Sequence, residues 1–284
     1  MKIGITGATG QLGRIVVDRL KEKVQADNII ALVRSPQKAA DLGVEAREAD
    51  YENTATLESA LAGIDTLLLI SSSEVGKRAS QHRNVIEAAK KNGVKWIVYT
   101  SLLHADTTGL SLADEHVITE GILKESGIPY TILRNGWYSE NYAGTVAGAL
   151  ASGTVQGGAG EGKISSASRM DYADAAVAVL TGTGHQGKIY ELAGDEAHTL
   201  ADLAAEISRQ TGKNIVYTNL SEAEHATLLA GMGLPEGLAH AIAGWDVAIS
   251  KGDLFDNSKQ LSTLTGRPTQ PMQEMVAEAL KQNP

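Results

Sequence analysis

With 284 residues, 43% of them hydrophobic and 21% charged, the chain is long enough to bury a full core, as one large domain or as a domain with a smaller lobe. Its formal charge of −9 speaks against nucleic acid as a main partner, because a polyphosphate has to be met by a basic surface. The absence of cysteine excludes disulfides, thiolate nucleophiles and cysteine-ligated metal centres.

Lys2 to Thr6 reads as a short apolar strand, and Leu12, Ile15, Val16, Leu20 and Val24 recur at helical spacing. An N-terminus built as strand, turn and amphipathic helix is not expected to be a signal peptide. No apolar run approaches the ~18 residues of a membrane span. A cytoplasmic protein is therefore expected.

Between strand and helix lie Gly7, Gly10 and Gly13, spaced G-x-x-G-x-x-G. In such a turn one glycine adopts a backbone conformation closed to other residues, one admits a pyrophosphate close to the main chain, and one lets the helix pack on the strand. The helix N-terminus adds free N–H groups and a positive dipole end. Residues Gly7, Ala8, Thr9, Gly10, Gln11 and Leu12 are the expected dinucleotide contact; a tight turn that binds nothing is the alternative.

Asn28 to Val33 forms the second strand and ends in Arg34, 21 residues after Gly13. A residue at that distance reads the adenosine ribose. A guanidinium there favours the 2′-phosphate of NADP over the bare ribose of NAD, because its planar fork bonds two phosphate oxygens at once. The plainer reading of Arg34 is a solvated strand end.

The alternation continues: a short helix over Ser35–Leu42, a strand over Val44–Ala49, a helix over Thr54–Leu61, and a strand over Ile64–Ile70 that is apolar on both faces and so central. Residues 80–92 are expected as a helix, Lys95–Thr100 as a strand, Leu112–Ser126 as a helix stopped by Gly127, and Pro129–Leu133 as the sixth strand. The pattern predicts an α/β fold with a doubly wound parallel sheet of the Rossmann, NAD(P)-binding type.

Beyond Arg134 the alternation weakens. Residues 137–151 look helical, and Gly153 to Gly162, with five glycines, reads as a loop. Helices are expected over Asp171–Leu180, Thr199–Gln210, Ser221–Met232, Gly237–Ser250 and Met272–Lys281, with short strands at Lys188–Leu192 and Asn214–Thr218. The expected organisation is a cofactor domain over residues 1–152, followed over 153–284 by the last strand of the sheet and a smaller, mainly helical substrate lobe, together one compact unit.

Ligands of an open parallel sheet lie beyond the carboxyl ends of its strands. Those ends offer Asp50, to accept from an adenine amino group or to cap a helix, and Ser71, Ser72 and Ser73, small enough for a dinucleotide to lie close. Strands 5 and 6 end in Thr100-Ser101 and in Arg134-Asn135-Gly136-Trp137-Tyr138, expected to flank a nicotinamide. Aromatic residues make up only 4% of the chain, so Trp137, Tyr138 and Tyr142, with Asn141, stand out as a surface for a flat substrate; packing of helices is the competing explanation. Gly157–Lys163 reads G-x-x-x-x-G-K, but Ile164 replaces the magnesium-binding hydroxyl and no clear strand precedes it. No histidine spacing suggests a metal, and no G-x-S-x-G suggests an esterase.

The segments GITGATGQLG, ALVR, ADYEN (49–53), LLLISSSEVGKR (67–78), YTSLLHAD (99–106) and YTILRNGWYSENY (130–142) resemble the NmrA-like branch of the atypical short-chain dehydrogenases. The likeness runs on through GKISSASRMDYA (162–173) and SKGDLFDNSK (250–259). It implies NADPH held by residues 7–12, Arg34, the serine run and the end of strand 6, with quinones as acceptors and a homodimer left open. One departure matters. The wider family uses a Y-x-x-x-K pair as acid and base, and none of the eight tyrosines here has a lysine four residues on.

Aligning Glu120 with the family's downstream glutamate puts His116 at the lysine position and Leu112 at the tyrosine position. Alcohol oxidation by the usual route is not expected. A quinone, already a strong electrophile, asks less of the protein. No obligatory proton donor is assigned: His116 is read as a group that holds the nicotinamide ribose or protonates the product, or as a solvent-facing helical residue. A non-catalytic NADP(H) sensor and a reductase of other conjugated acceptors such as dyes are the alternatives.

Overall fold

The computed structural model describes residues 1–282. The first strand, β1 (Ile3–Thr6), runs through the glycine turn into α1 (Gln11–Lys21), followed by β2 (Ile29–Val33), β3 (Glu45–Glu48), α2 (Thr54–Ala60), β4 (Thr66–Leu69), α3 (Arg78–Lys91), β5 (Trp96–Leu102), α4 (Ala113–Glu125) and β6 (Tyr130–Asn135). Then come α5 (Ala143–Ser152), β7 (Thr154–Gly157), α6 (Arg169–Thr181), β8 (Ile189–Leu192), α7 (Leu200–Thr211), β9 (Val216–Asn219), α8 (Glu222–Gly231), α9 (Glu236–Ser250), α10 (Gln260–Thr265) and α11 (Met272–Gln282). The chain sorts into two compact units that interleave in sequence. One comprises Met1–Asp106, Leu112–Asn135 and Arg169–Leu192; the other takes Thr107–Ser111, Gly136–Ser168 and the described residues from Ala193 on.

The first unit is the doubly wound sheet. Its strands lie in the order β3-β2-β1-β4-β5-β6-β8, all parallel. Parallel strands carry helices on their faces, so β1, β2, β4 and β5 are buried along their whole length. The edge strand β3, Glu-Ala-Arg-Glu, is partly exposed, and its charges discourage pairing with another chain. Side chains two apart share a face of a strand. Leu67 and Leu69 of β4, Ile97 and Tyr99 of β5 and Ile132 of β6 accordingly join Leu57, Leu61, Val85, Ile86, Ala89 and Leu123 in one core under α2, α3 and α4. The helices α1 and α6 pack on each other. The direction of strand succession reverses between β1 and β4, which is where such sheets open a crevice.

The second unit is mainly helical, with two departures from expectation. The glycine-rich stretch 153–162 is not all loop: Thr154–Gly157 forms β7, paired in parallel with β9 from Thr154 opposite Val216 to Gly157 opposite Asn219. Glycine lowers strand propensity, yet Gly157 ends this strand with Leu200 packed over it, where a Cβ would meet Leu200 Cδ1 at 2.7 Å. The strand also precedes the G-x-x-x-x-G-K run, where none was expected. Gly162 of that run serves packing, because a Cβ there would meet the Ile249 carbonyl oxygen at 2.3 Å. The second departure is α10, too short to declare a period in the sequence. Of residues 137–151, Tyr138 is extended and bridges Ala167, and a 3-10 turn, Ser139–Tyr142, leads into α5. Reciprocal capping boxes, Thr199 with Asp202 and Ser221 with Glu224, start α7 and α8. No helix among the described residues is long and apolar enough to cross a membrane.

Candidate active site

Two glycines of the first turn, Gly7 and Gly13, are needed for different reasons. Gly7 sits at φ +59°, and the amide of Gly10 closes the turn on its carbonyl oxygen at 2.8 Å. A Cβ on Gly13 would stand 2.2 Å from that same oxygen and 2.8 Å from Ala8 Cα, so the helix approaches the strand end only without a side chain. α1 then starts from Gly10 with no capping side chain and no acidic residue in its first turn. The first amide to bond back into the helix is that of Arg14, to Gly10 O at 3.0 Å. The amides of Gln11, Leu12 and Gly13 have no acceptor among the described residues. Three aligned donors at a positive dipole end can take an anion.

Arg34 follows the last buried residue of β2 and is 74% exposed, with Nη1 3.3 Å from Glu74 Oε1. At the end of β3, Asp50 is not the helix cap. Asn53 caps α2, accepting from Ala55 and Thr56, while Asp50 Oδ1 accepts from the amide of Glu52 at 2.9 Å and turns the chain.

The serine run is held by its backbone. Thr6 Oγ1 accepts from Ile70 N at 2.9 Å and so ties the ends of β1 and β4 together. Ser71 N donates to Thr100 Oγ1 at 2.9 Å, Ser72 N donates to His82 Nε2 at 2.9 Å, and Arg78 Nε donates to Ser72 O at 2.7 Å. Ser71 and Ser72 are half-buried and Ser73 is exposed. Glu115 accepts from the amides of Gly76 and Ala79 and anchors the entry to α3. Arg78, His82, Tyr99 and Glu115 escape a sequence reading because they are spread over three elements, α3, β5 and α4; Arg78, closing the segment SEVGKR, was the nearest to a signal.

His116 is buried, and its reading as a solvent-facing residue is corrected. Its Nε2 lies 3.2 Å from Arg78 Nη1 and its Nδ1 2.8 Å from Tyr99 Oη. Burial, then the charges of Arg78 and His82, push its pKa down to about 3. His82 is lowered to about 3 by burial and by Arg78. Burial raises Tyr99 above the ordinary phenol range. Both imidazoles are therefore neutral at pH 7.

Ser101 is buried, and its hydroxyl donates to Glu120 Oε1 at 2.7 Å. Glu120 also receives Arg134 through Nε and Nη2, both at 2.9 Å, and Arg134 Nη1 reaches Asp106 and Glu191 at 2.8 Å. This bidentate network ties together α4, β6 and the loop after β5. The register sets Ser101 opposite Arg134 and Leu102 opposite the buried Asn135.

In the second unit Trp137 is half-buried and meets Trp245 edge to face, with ring centroids 5.9 Å apart, and Trp245 Nε1 donates to Ser111 at 3.1 Å. Gly136 is buried, Tyr138 is half-buried and Asn141 is exposed. Tyr142 is buried, with its ring against His198. No cluster of metal-ligating side chains occurs among the described residues.

Sheet order, glycine cradle and strand-end arginine define a protein class, and comparison with known proteins agrees: residues 7–183 match the profile of an NAD(P)H-binding family, and the chain belongs to it. Over 284 residues, 99% of either chain, the sequence is 57% identical to Quinone oxidoreductase 2 of Escherichia coli. The fold superposes on the crystal structure of an Escherichia coli NADPH-dependent quinone oxidoreductase complexed with NADPH at a TM-score of 0.96, with 58% identity, covering 98% of this chain and 99% of that one. A Citrobacter sp. triphenylmethane reductase complexed with NADP(H) matches at a TM-score of 0.92 and 38% identity over 98% of this chain and 100% of that one. The resemblance read from the sequence is borne out.

Proposed function

We propose that this chain transfers a hydride from NADPH to quinones. One observation carries the reading: the β1–α1 turn presents three amide donors with no internal acceptor, at a helix start that Gly13 lets pack against the Gly7 carbonyl. Full-length similarity to Quinone oxidoreductase 2 supports the acceptor class.

In this reading residues 7–12 receive the pyrophosphate and Arg34 the 2′-phosphate. Asp50 meets the adenine, Ser71, Ser72 and Ser73 line the dinucleotide, and Ser101, Asn135, Gly136 and Trp137 serve its nicotinamide end. Trp137 and Tyr138, with Asn141 and Tyr142, serve the acceptor. NADPH, when bound, supplies the hydride. The protein's part is orientation: the backbone of the serine run is fixed by four side-chain bonds, from Thr100, His82, Arg78 and, through the neighbouring amide of Glu74, the Ser72 hydroxyl. His116, neutral and bonded at both nitrogens, holds Arg78 and Tyr99 in place rather than delivering a proton. Protons for the reduced product come from water. The reading includes a cytoplasmic setting, the compartment that maintains reduced NADPH.

The test is steady-state loss of dihydronicotinamide absorbance with a simple benzoquinone. Tight NADPH binding without quinone-dependent oxidation would replace the reductase by an NADP(H) sensor. A second reading, reduction of other conjugated acceptors, is favoured by the similarity to the triphenylmethane reductase and is tested by competition between quinone and dye.

A further inference from the structure

Glu74 places a carboxylate where the nucleotide reading requires a phosphate. Its Oε1 is 3.3 Å from Arg34 Nη1; its Oε2 accepts from Gln81 Nε2 at 3.2 Å and lies 3.8 Å from Lys77 Nζ. Its amide donates to Ser72 Oγ at 3.1 Å, which makes Glu74 continuous with the serine run. Gln81 is buried, so its bond to Glu74 is made from a side chain shielded from water. Lys77 bonds Glu52 at 2.9 Å, and its pKa is raised by that hydrogen bond, then by the charges of Glu52 and Glu74. Glu74 is the one carboxylate that Arg34 reaches among the described residues.

Carboxylate and phosphate oxygens are interchangeable partners for a guanidinium fork. We propose that Glu74 sets the preference between NADPH and NADH by competing with the 2′-phosphate for Arg34. The inference rests on the reading that Arg34 takes that phosphate. Binding of NADPH must part Arg34 from Glu74 and leave a carboxylate close to a phosphate dianion. Both effects oppose NADPH and spare NADH, which has no phosphate at that position. Lys77, 3.8 Å away, gives the released carboxylate a second cation. The segment meanwhile stays anchored by Arg78 on Ser72 O and by Glu115 on the amides of Gly76 and Ala79. Glu74 is thus a specificity-determining residue that restrains, rather than creates, the preference for NADPH.

The experiment is calorimetric titration of NADPH and NADH into the full chain and into Glu74→Gln, Arg34→Ala and the double variant. Glu74→Gln is expected to tighten NADPH about two- to tenfold, the scale of an exposed ion pair plus one close repulsion, and to leave NADH within about twofold. The gain should shrink as salt is raised and should largely vanish in the Arg34→Ala background. Unchanged or weaker NADPH binding by Glu74→Gln, or an equal gain for NADH, overturns the proposal while Arg34 keeps its role. Equal weakening of both nucleotides by Arg34→Ala removes the underlying reading and the proposal with it.

Discussion

The guanidinium of Arg78 lies 3.2 Å from Nε2 of His116, and because an arginine only donates, the contact fixes that nitrogen as an acceptor and leaves the imidazole proton on Nδ1, facing Tyr99 Oη at 2.8 Å. With its pKa pushed down to about 3 by burial and by Arg78, His116 has no proton to deliver near neutrality. His116→Ala should therefore keep most quinone reduction, and the wild-type rate between pH 6 and 8 should show no inflection from this residue. Near-complete loss of turnover with NADPH binding intact would mean that a proton donor had been overlooked.

Arg78 is buried, and no carboxylate lies within ion-pair distance of it among the described residues. Its bonds run to Ser72 O and to His116. Arg78→Met would leave both acceptors unpaired inside the protein, so urea unfolding should show a loss of about 2 to 4 kcal/mol. A change within about 0.5 kcal/mol would show that the serine run is held by its other bonds alone.

Stability should fall on mild acidification, before the carboxylates titrate. Burial lowers His82 and His116 to about 3 and His198 to about 4, against about 6.5 in the unfolded chain. Above about pH 6.5 all three are neutral in both states and their contribution is complete. As pH drops toward 4, the unfolded chain takes up protons that the folded one refuses, at up to about 1.4 kcal/mol per pH unit per histidine. Denaturation midpoints measured from pH 7 to pH 4.5 should decline steadily, and less steeply for His116→Gln. A flat profile would mean that these histidines are not held neutral.

Gly13→Ala puts a methyl group 2.2 Å from the Gly7 carbonyl oxygen, a backbone atom with no rotamer to yield. The helix must withdraw from the strand end, at a cost of about 1 to 3 kcal/mol in thermal unfolding. The withdrawal also spoils the alignment of the amides of Gln11 and Leu12, so NADPH affinity should drop more than global stability does. Unchanged affinity would sever the turn from the cofactor.

Periodicity and glycine spacing made the sheet legible, because the inner strands of a parallel sheet are apolar on both faces and each crossover helix carries its own stripe. Leu67-Leu68-Leu69 announces a central strand wherever it is placed. Two local features misled. Five glycines at 153–162 hid β7, whose partner β9 lies far along the chain, and Gly157 belongs to the strand, packed against Leu200, rather than breaking it. The helical pattern around His116 left its outlook open, because α4 is apolar on more than one side, with Val117 and Ile118 exposed while His116, Thr119 and Glu120 are buried.

The class of fold, the glycine turn and the arginine after the second strand can be read before the chain folds, since each is written in residues close together along it. Tertiary structure alone decided how the strand ends are supported: Arg78 between Ser72 and His116, Glu120 beneath Arg134 and Ser101, and Glu74 against Arg34. Those pairs join residues 6 to 40 positions apart from different elements. Burial and partner charge, which set the protonation of a histidine or the availability of an arginine, exist only once those elements have met.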